Sequence, residues 1–238
     1  MVREIMRKLV PPAIFSESEA LDEISCALSR LARPKPLRVL EAGCGRKTPF
    51  DLGDDAIVVG IDIEPREIGR HERLSEAIVG DIQTYPVSSG SFDVAVCWNV
   101  LEHLERPDLA LANIHRGLRP GALLVIGVPH LRSLKTRLVK LTPAWLHQRV
   151  WHWLYPRAPA EDGPFPLVHS DGMDVNALER FATAHYMTVV CNRGYESALQ
   201  AKLRKRFRVG DRLWRFLHAA CAGRLDVLHS DRVIILQR

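Results

Sequence analysis

One short stretch, in which a run of apolar residues is followed by an acidic residue and two glycines, constrains the fold of this chain more than any other. The run covers residues 37–40, which are apolar except for Arg38, and Glu41, Gly43 and Gly45 follow it. A short, mainly apolar run of this kind predicts a buried strand of a parallel sheet. Glycines directly after such a strand let the backbone pass close beneath a ligand, where a Cβ atom would intrude. The stretch therefore predicts a ligand-binding loop at the carboxyl end of the first strand.

Further apolar runs repeat this arrangement along the chain. Residues 58–61 are followed by Asp62, at the distance of about 20 residues at which doubly wound sheets place a carboxylate on ribose hydroxyls. A third acidic strand end follows at Asp81, and two longer apolar strands separated by a helix come after it. Strands that alternate with helices in this way predict an α/β chain with a parallel sheet.

A glycine loop after a strand also opens the dinucleotide-binding enzymes, in the form G-x-G-x-x-G. The third glycine is absent here, because Lys47 or Thr48 stands where it would fall. No further dinucleotide feature follows Asp62. A nicotinamide-dependent oxidoreductase is therefore disfavoured.

The order of these motifs resembles the class I S-adenosylmethionine-dependent methyltransferases, closest to the large group whose fourth strand leads into a V-L-E-H-L helix. The resemblance covers residues 37–129 and includes S-F-D-V-A-V-C-W-N-V-L-E-H-L at 91–104 and L-R-P-G-A-L-L-V-I-G-V-P at 118–129. It implies a doubly wound, Rossmann-like sheet of seven mainly parallel strands with an antiparallel last strand. It also implies a transferase that uses S-adenosyl-L-methionine as its cofactor.

The resemblance assigns the glycine loop to the methionine part of the cofactor. S-Adenosylmethionine carries no phosphate, so Gly43 and Gly45 would let backbone groups approach the methionine part instead of cradling a phosphate. Glu41 would lie near the ammonium group, where a carboxylate is electrostatically favoured.

The following strand ends would hold the nucleoside part. Asp62 is expected to accept hydrogen bonds from both ribose hydroxyls, with Glu64 as the less favoured candidate. Asp81 could accept the adenine amino hydrogen while Ile82 packs against the ring, and Asn99 after the fourth strand completes the expected cofactor-binding set. Acidic residues at strand ends also cap helices, and that alternative stays open, above all for Asp81.

Methyl transfer needs a base only when the accepting atom carries a proton. Three histidines, His103, His130 and His169, could act as base or orienter, and His130 and His169 are the candidate catalytic residues. His130, just past the fifth strand, is best placed, because the carboxyl ends of strands in this fold face the ligand crevice. A structural role for either histidine remains the alternative. No metal site is expected, because the five cysteines lack metal-binding or redox spacing.

Composition suggests where the protein works. The chain contains no apolar run of the length, about 18 residues, that crosses a membrane. The odd number of cysteines favours a reduced, cytoplasmic compartment. At 238 residues the chain is expected to form a single methyltransferase domain, with a helical segment at residues 1–36 ahead of it.

Two local helix signals stand in the first part of the chain. Residues 16–31 predict an amphipathic helix, with Ser16 and Glu19 spaced as a capping box. Thr48 and Pro49 predict the start of a short helix, with the threonine as its cap.

Two basic segments are expected to form helical lid insertions, at residues 131–168 and 198–230. Residues 131–160 contain six Lys or Arg and no carboxylate, and residues 202–215 contain seven Lys or Arg against one Asp. Four of the five tryptophans lie in the same segments. Basic residues mixed with tryptophan favour an anionic interface, either lipid headgroups or nucleic acid phosphates. The alternative, a solvated basic face whose aromatics pack inward, stays open.

These observations predict a methyltransferase that acts on an oxygen atom of a small, lipid-linked or saccharide acceptor. A cytoplasmic location with peripheral association to an anionic membrane is expected, and nucleic acid is the less favoured partner. The alternative is a non-catalytic module that keeps the fold and binds a membrane surface, nucleic acid or protein through its basic lid. Cofactor binding distinguishes the two, because the second needs none.

Overall fold

The computed structural model describes residues 14–32, 36–154, 175–221 and 224–238. A sheet of seven strands forms its centre, with the order β3-β2-β1-β4-β5-β7-β6. The strands are β1 (Arg38–Ala42), β2 (Ile57–Asp62), β3 (Glu76–Val79), β4 (Phe92–Trp98), β5 (Leu118–Pro129), β6 (Thr188–Tyr195) and β7 (Asp231–Gln237). The first five strands pair in parallel, and the last strand is antiparallel. The predicted seven-stranded, doubly wound sheet is confirmed.

The strand order reverses between β1 and β4. From β1 the chain builds outward through β2 and β3, and then returns to place β4 on the other side of β1. Ligands of doubly wound sheets bind at such a switch point, outside the carboxyl ends of the strands. In this chain the carboxyl end of β1 leads directly into the glycine loop.

Helices connect and flank the strands. They are α1 (Glu17–Ser29), α2 (Pro65–Ile68), α3 (Pro107–Gly117), α4 (Leu134–Leu141), α5 (Ala144–Leu154), α6 (Val175–Ala184), α7 (Ala198–Arg206) and α8 (Asp211–Ala220). The apolar runs of the sequence become the inner strands, and Leu40, Ala95 and Leu124 are fully buried. Burial of such side chains stabilises the sheet by about 1.5 to 3 kcal/mol for each large one.

Helix α1 confirms the predicted capping box. The Glu19 backbone N–H donates to Ser16 Oγ at 3.3 Å, and the Ser16 backbone N–H donates to Glu19 Oε2 at 2.7 Å. Two backbone donors at the helix start are thereby satisfied, which typically contributes about 1 kcal/mol.

Two local predictions are wrong. No helix begins at Thr48, because the chain from there to β2 is a series of turns; Asp51 Oδ1 accepts the Gly53 N–H at 3.0 Å, and Gly53 has a φ of +86°. The helix expected in V-L-E-H-L is a single 3-10 turn, Leu101–His103. Leu104 is already extended, and the residue before Pro107 is disfavoured in helical conformation, so α3 starts only at that proline.

The described residues cluster into two compact units. The first, called here the helical unit, comprises residues 14–20, 129–154 and 194–232 apart from 222–223, and it contains α4, α5, α7 and α8. The second, called the sheet unit, comprises residues 21–128 apart from 33–35, residues 175–193 and residues 233–238. The predicted boundaries of the lid insertions, 131–168 and 198–230, remain predictions. No described helix is both long enough and apolar enough to span a membrane.

Candidate functional site

The glycine loop, residues 43–45, follows β1 and is hydrogen-bonded to the end of β2. Gly43 has a φ of +71° and donates its backbone N–H to the Ile61 carbonyl at 2.7 Å. A Cβ added to Gly43 would lie 2.3 Å from Val100 Cγ2, a distance at which the backbone or the valine must move. Gly45 has a φ of +52°, but open space surrounds its Cα. Only Gly43 is therefore required both for its left-handed conformation and for lack of a side chain.

Glu41, at the end of β1, carries a buried carboxyl group that has no aligned protein donor. Its side chain is 2% exposed, and neither oxygen has a hydrogen-bond partner among the described residues. Burial raises the pKa of Glu41 to about 7, while the nearby side chain of Thr48 and, less strongly, the positive charge of Arg73 act in the opposite direction. A carboxyl group in this position favours a cationic ligand, because an added positive charge would stabilise its ionised form.

His71 is the nearest titratable neighbour of that carboxyl group. Its Nε2 lies 3.1 Å from Glu41 Oε2, but without the alignment of a hydrogen bond, and the His71 side chain is fully buried. Burial lowers the pKa of His71, and Arg73 lowers it further. Sequence reasoning missed this residue, because His71 stands in a turn after α2 and no spacing links it to Glu41.

Asp62, at the end of β2, is hydrogen-bonded to the glycine loop. Its Oδ2 accepts the Gly45 N–H at 2.8 Å, and its Oδ1 accepts the Glu64 N–H at 2.9 Å. Glu64 caps α2 by accepting the Arg66 N–H. The predicted ribose ligand is thus also a positioning group for the loop, a role that the sequence did not indicate.

Asp81 and Ile82 follow β3. Asp81 Oδ1 accepts the Gln83 backbone N–H at 2.9 Å, and both of its oxygens lie 3.0 Å from Gln83 Nε2. Gln83 Oε1 in turn accepts the Arg106 N–H at 2.7 Å. Ile82 is buried in the core of the sheet unit. Asp81 therefore shapes its own turn, and its assignment to the adenine amino group stays a prediction.

Asn99 lies at the carboxyl end of β4, the strand next to β1. It is exposed and has a left-handed φ of +55°, a conformation that asparagine tolerates better than most residues. Its backbone N–H donates to the Gly127 carbonyl at 2.8 Å, which ties the end of β4 to β5. The sheet unit thus brings the expected residues of β1, β2 and β4 to the carboxyl ends of adjacent strands.

His130 belongs to the helical unit and is held there by an aspartate. Its Nε2 lies 3.3 Å from Asp226 Oδ2, and its backbone N–H donates to the Ser230 carbonyl at 2.9 Å. Asp226 also contacts His229 Nδ1 at 3.0 Å. Burial alone would raise the pKa of Asp226, but the hydrogen bonds from His130 and His229 outweigh it and hold that pKa well below its usual value.

His169, the other predicted base, lies outside the described residues. Within the described part of the chain, no group of three or more His, Cys, Asp or Glu side chains is arranged to hold a metal ion. The histidine side chains around Asp226 are accordingly interpreted as hydrogen-bond partners of one carboxylate.

Comparison with known proteins shows which proteins the chain is similar to. A family model described as a methyltransferase domain matches residues 40–126, the part that contains β1 to β5. A crystal structure of a SAM-dependent methyltransferase from Archaeoglobus fulgidus has the same fold, with a TM-score of 0.55 at 16% identity over 94% of this chain and 95% of that one. Residues 40–126 therefore match a methyltransferase domain, and the chain has the fold of the class I S-adenosylmethionine-dependent methyltransferases. S-Adenosylmethionine is the cofactor that this similarity implies.

Two sequence relatives of this methyltransferase domain are named for the atom that they methylate. The malonyl-[acyl-carrier protein] O-methyltransferase of Laribacter hongkongensis is 32% identical over 146 residues, which cover 52% of this chain and 48% of that protein. An O-methyltransferase of Pyrenophora dematioidea is 33% identical over 112 residues, 42% of each protein. The chain spans about half or less of the length of the curated relatives that it matches first.

Proposed function

We propose that this protein transfers a methyl group from S-adenosylmethionine to an oxygen atom of a small, lipid-linked or saccharide acceptor. One observation carries the cofactor part of the proposal: the buried carboxyl group of Glu41 has no hydrogen-bond partner among the described residues. It lies beside the turn at Gly43, where a side chain would not fit. The ammonium group of a ligand bound beside this turn would supply a positive countercharge and so stabilise the ionised form of Glu41.

Each part of the cofactor has a proposed partner among the residues of the sheet unit. Glu41 would bind the ammonium group, with Gly43 and Gly45 allowing close approach of the backbone. Asp62 would bind the ribose hydroxyls, while Asp81, Ile82 and Asn99 would surround the adenosine. Because Asp62 already accepts the Gly45 N–H, ribose binding and loop geometry would depend on the same carboxylate.

S-Adenosylmethionine supplies a methyl group that its sulfonium has already activated for displacement. The protein then has to align the acceptor oxygen with that carbon and exclude water. As the carbon–oxygen bond forms and the carbon–sulfur bond breaks, a hydroxyl acceptor must lose its proton. We propose His130 or His169 as the base, and the hydrogen bond to Asp226 would orient the imidazole of His130.

Oxygen is proposed as the accepting atom because two relatives at 32 and 33% identity bear that activity in their names. The protein is further proposed to work in the cytoplasm and to associate peripherally with an anionic membrane through its basic segments. A lipid-linked acceptor is consistent with that location. Nucleic acid is the less favoured partner.

The alternative function is a non-catalytic module of the same fold. Titration calorimetry with S-adenosylmethionine separates the two, because the methyltransferase must bind it and the module need not. The matched control is Glu41→Gln, which removes the charge at nearly constant volume. If the wild-type protein and this variant bind S-adenosylmethionine equally, or if neither binds it, the proposed cofactor site is wrong.

A further inference from the structure

The helical unit exposes an unusual number of large apolar side chains. Helix α8 has no buried side chain; Leu213 is 52% exposed, Phe216 67% and Leu217 39%. These three residues occupy positions i, i+3 and i+4, so they share one face of the helix. Exposed apolar groups are common one at a time, but a set on one helix face indicates an interaction surface.

The other helices of the same unit add to this set. Leu141, at the end of α4, is 81% exposed, and Trp145, at the start of α5, is 60% exposed. Trp153 of α5 and Phe207 after α7 are also exposed, and their ring centroids lie 6.3 Å apart. Arg206 stacks on Trp153, with its guanidinium carbon 4.7 Å from the ring centroid. Contacts among exposed side chains therefore join α5 to α7.

Exposed basic residues accompany these apolar groups on all four helices. These residues are exposed and lie on the helices that carry the exposed apolar residues; they include Arg137, Lys140, Arg149, Lys205, Arg206 and Arg212. The one acidic residue of α8, Asp211, is paired with Arg204. The unit thus combines exposed aliphatic and aromatic side chains with an excess of basic over acidic residues on these helices.

We propose that this surface, defined by the exposed apolar and basic residues of α4, α5, α7 and α8, docks on an anionic lipid bilayer. Leucine, phenylalanine and tryptophan would enter the region between headgroups and acyl chains, and the basic residues would contact the lipid phosphates. The proposal deepens the proposed function, because docking on a bilayer would bring the protein to a lipid-linked acceptor. The binding to lipid itself does not depend on that acceptor.

Charge and side-chain type select this occupant over two others. A second copy of the chain would bring an equally positive surface against this one, and like charges would oppose the contact. Nucleic acid would satisfy the positive charge, but its backbone offers nothing to the aliphatic side chains of Leu141, Leu213 and Leu217. An anionic bilayer is complementary to both properties.

The test is co-sedimentation of the full chain with vesicles. One set contains phosphatidylcholine alone, and the other contains equal parts of phosphatidylcholine and phosphatidylglycerol. Binding is expected only to the anionic set at low salt, and raising the salt to about 0.5 M should weaken it because the Debye length falls below about 5 Å. Equal binding to both sets, or to neither, would overturn the proposal.

Two variants separate the apolar from the electrostatic contribution. Leu213→Ser with Phe216→Ser should reduce partitioning by about tenfold or more, because apolar area no longer enters the bilayer. Lys205→Glu with Arg212→Glu should reduce it by at least about tenfold, since each basic residue near an anionic surface contributes roughly a fivefold factor. Arg204 is unsuitable, because it donates two 2.9 Å hydrogen bonds to Glu196 and is 14% exposed.

Matched controls come from the sheet unit. Arg30→Glu with Arg180→Glu makes the same charge change at two other exposed residues and should preserve most of the binding. Tyr186→Ser removes an aromatic ring that is 95% exposed and should also preserve it. Thermal unfolding of each variant shows whether the fold is kept; a loss of vesicle binding in the controls equal to that in the test variants would refute the surface.

The remaining readouts distinguish this proposal from the proposed function. Titration with S-adenosylmethionine should give the same affinity in the wild-type protein and in both test variants. A protein that binds anionic vesicles but not S-adenosylmethionine supports the surface and contradicts the methyltransferase. A protein that binds structured RNA with a steep salt dependence, and no vesicle, overturns the lipid proposal in favour of nucleic acid.

Discussion

His71 Nε2 lies 3.1 Å from Glu41 Oε2, and both side chains are buried. Burial raises the pKa of the glutamate to about 7 and lowers the pKa of the histidine, so both groups are driven toward their neutral forms. The positive charge of Arg73 opposes the first shift, because it favours the glutamate anion, and adds to the second, because it disfavours the histidine cation. A cationic ligand adds charge beside this pair, and its binding should therefore release a proton from Glu41.

Cofactor affinity should depend on pH for this reason. If S-adenosylmethionine binds the ionised form of Glu41, affinity should rise about tenfold per pH unit from about pH 5.5 and level off near pH 7. Titration calorimetry in buffers of different ionisation enthalpy measures both the affinity and the proton release. The slope should disappear in Glu41→Gln, and a wild-type affinity that is independent of pH over this range would contradict the assignment.

The same substitution should stabilise the protein. Below pH 4.5 Glu41 is protonated in both states; from there to about pH 7 the unfolded chain ionises and the folded one does not, so stability falls as pH rises. Glu41→Gln removes this loss and should raise the free energy of unfolding at pH 7.5 by up to about 3 kcal/mol. Urea unfolding at pH 4 and pH 7.5 measures it, and the gain should be confined to the higher pH.

Gly43→Ala should be costly for two separable reasons. A left-handed φ costs a residue with a Cβ about 1 kcal/mol, and the contact with Val100 adds about 1 to 3 kcal/mol of overpacking. Gly90→Ala is the matched control, since its φ of +57° is similar and nothing lies within 4 Å of its added Cβ. If urea unfolding shows that the two variants lose the same free energy of unfolding, the side chain of Val100 moves aside at no cost and the overpacking contribution is absent. Gly43→Ala with Val100→Ala should recover part of the loss.

Asp62→Ala should affect both binding and stability. Loss of the ribose hydrogen bonds should weaken the binding of S-adenosylmethionine by about 1 to 3 kcal/mol. Loss of the bonds from the Gly45 and Glu64 N–H groups should lower the free energy of unfolding by a further 1 to 2 kcal/mol or so. Calorimetry and urea unfolding give the two values. Glu64→Gln, which changes the less favoured ribose candidate, should leave the affinity within about twofold.

The sheet could be predicted from the sequence because its signal is local and repeated. The inner strands are rich in apolar residues, and the carboxylates of Glu41 and Asp62 mark the carboxyl ends of β1 and β2. The capping box of α1 was equally readable, since Ser16 and Glu19 stand three residues apart. Where a tertiary contact or a turn decided the local conformation, as between Thr48 and β2, propensity alone gave the wrong element.

The details of the candidate site depend on contacts that no sequence spacing encodes. His71 meets Glu41 across 30 positions of the chain, and Val100 occupies the space that Gly43 leaves open. Arg204 is one of the seven basic residues at 202–215, but its ion pair with Glu196 makes it structural. Whether a charged side chain faces solvent or a partner is decided by the packing of its helix, which composition does not contain.

The histidine pairings of Asp226 provide the last prediction. Its carboxylate accepts from the backbone N–H groups of Leu228 and His229 as well as from His130 and His229 side chains. Its pKa is depressed, so the stability that it contributes is present above pH 3.8 and is lost as pH falls below that value. Asp226→Asn should therefore lower the free energy of unfolding by about 2 to 4 kcal/mol at pH 6, and the difference from the wild-type protein should narrow below about pH 4.

The variants His130→Gln and His229→Gln distinguish a catalytic role of His130 from a purely structural one. Both remove one donor to the same carboxylate and should cost similar, smaller amounts of stability. If His130 is the base that accepts the acceptor proton, its loss should also lower kcat by about a hundredfold or more, whereas His229→Gln should change kcat only a few-fold. Methyl transfer measured as a function of pH decides it, because only the loss of a base removes the low-pH limb of the profile. Equal effects of the two substitutions on kcat would assign His130 to the structure of the helical unit alone.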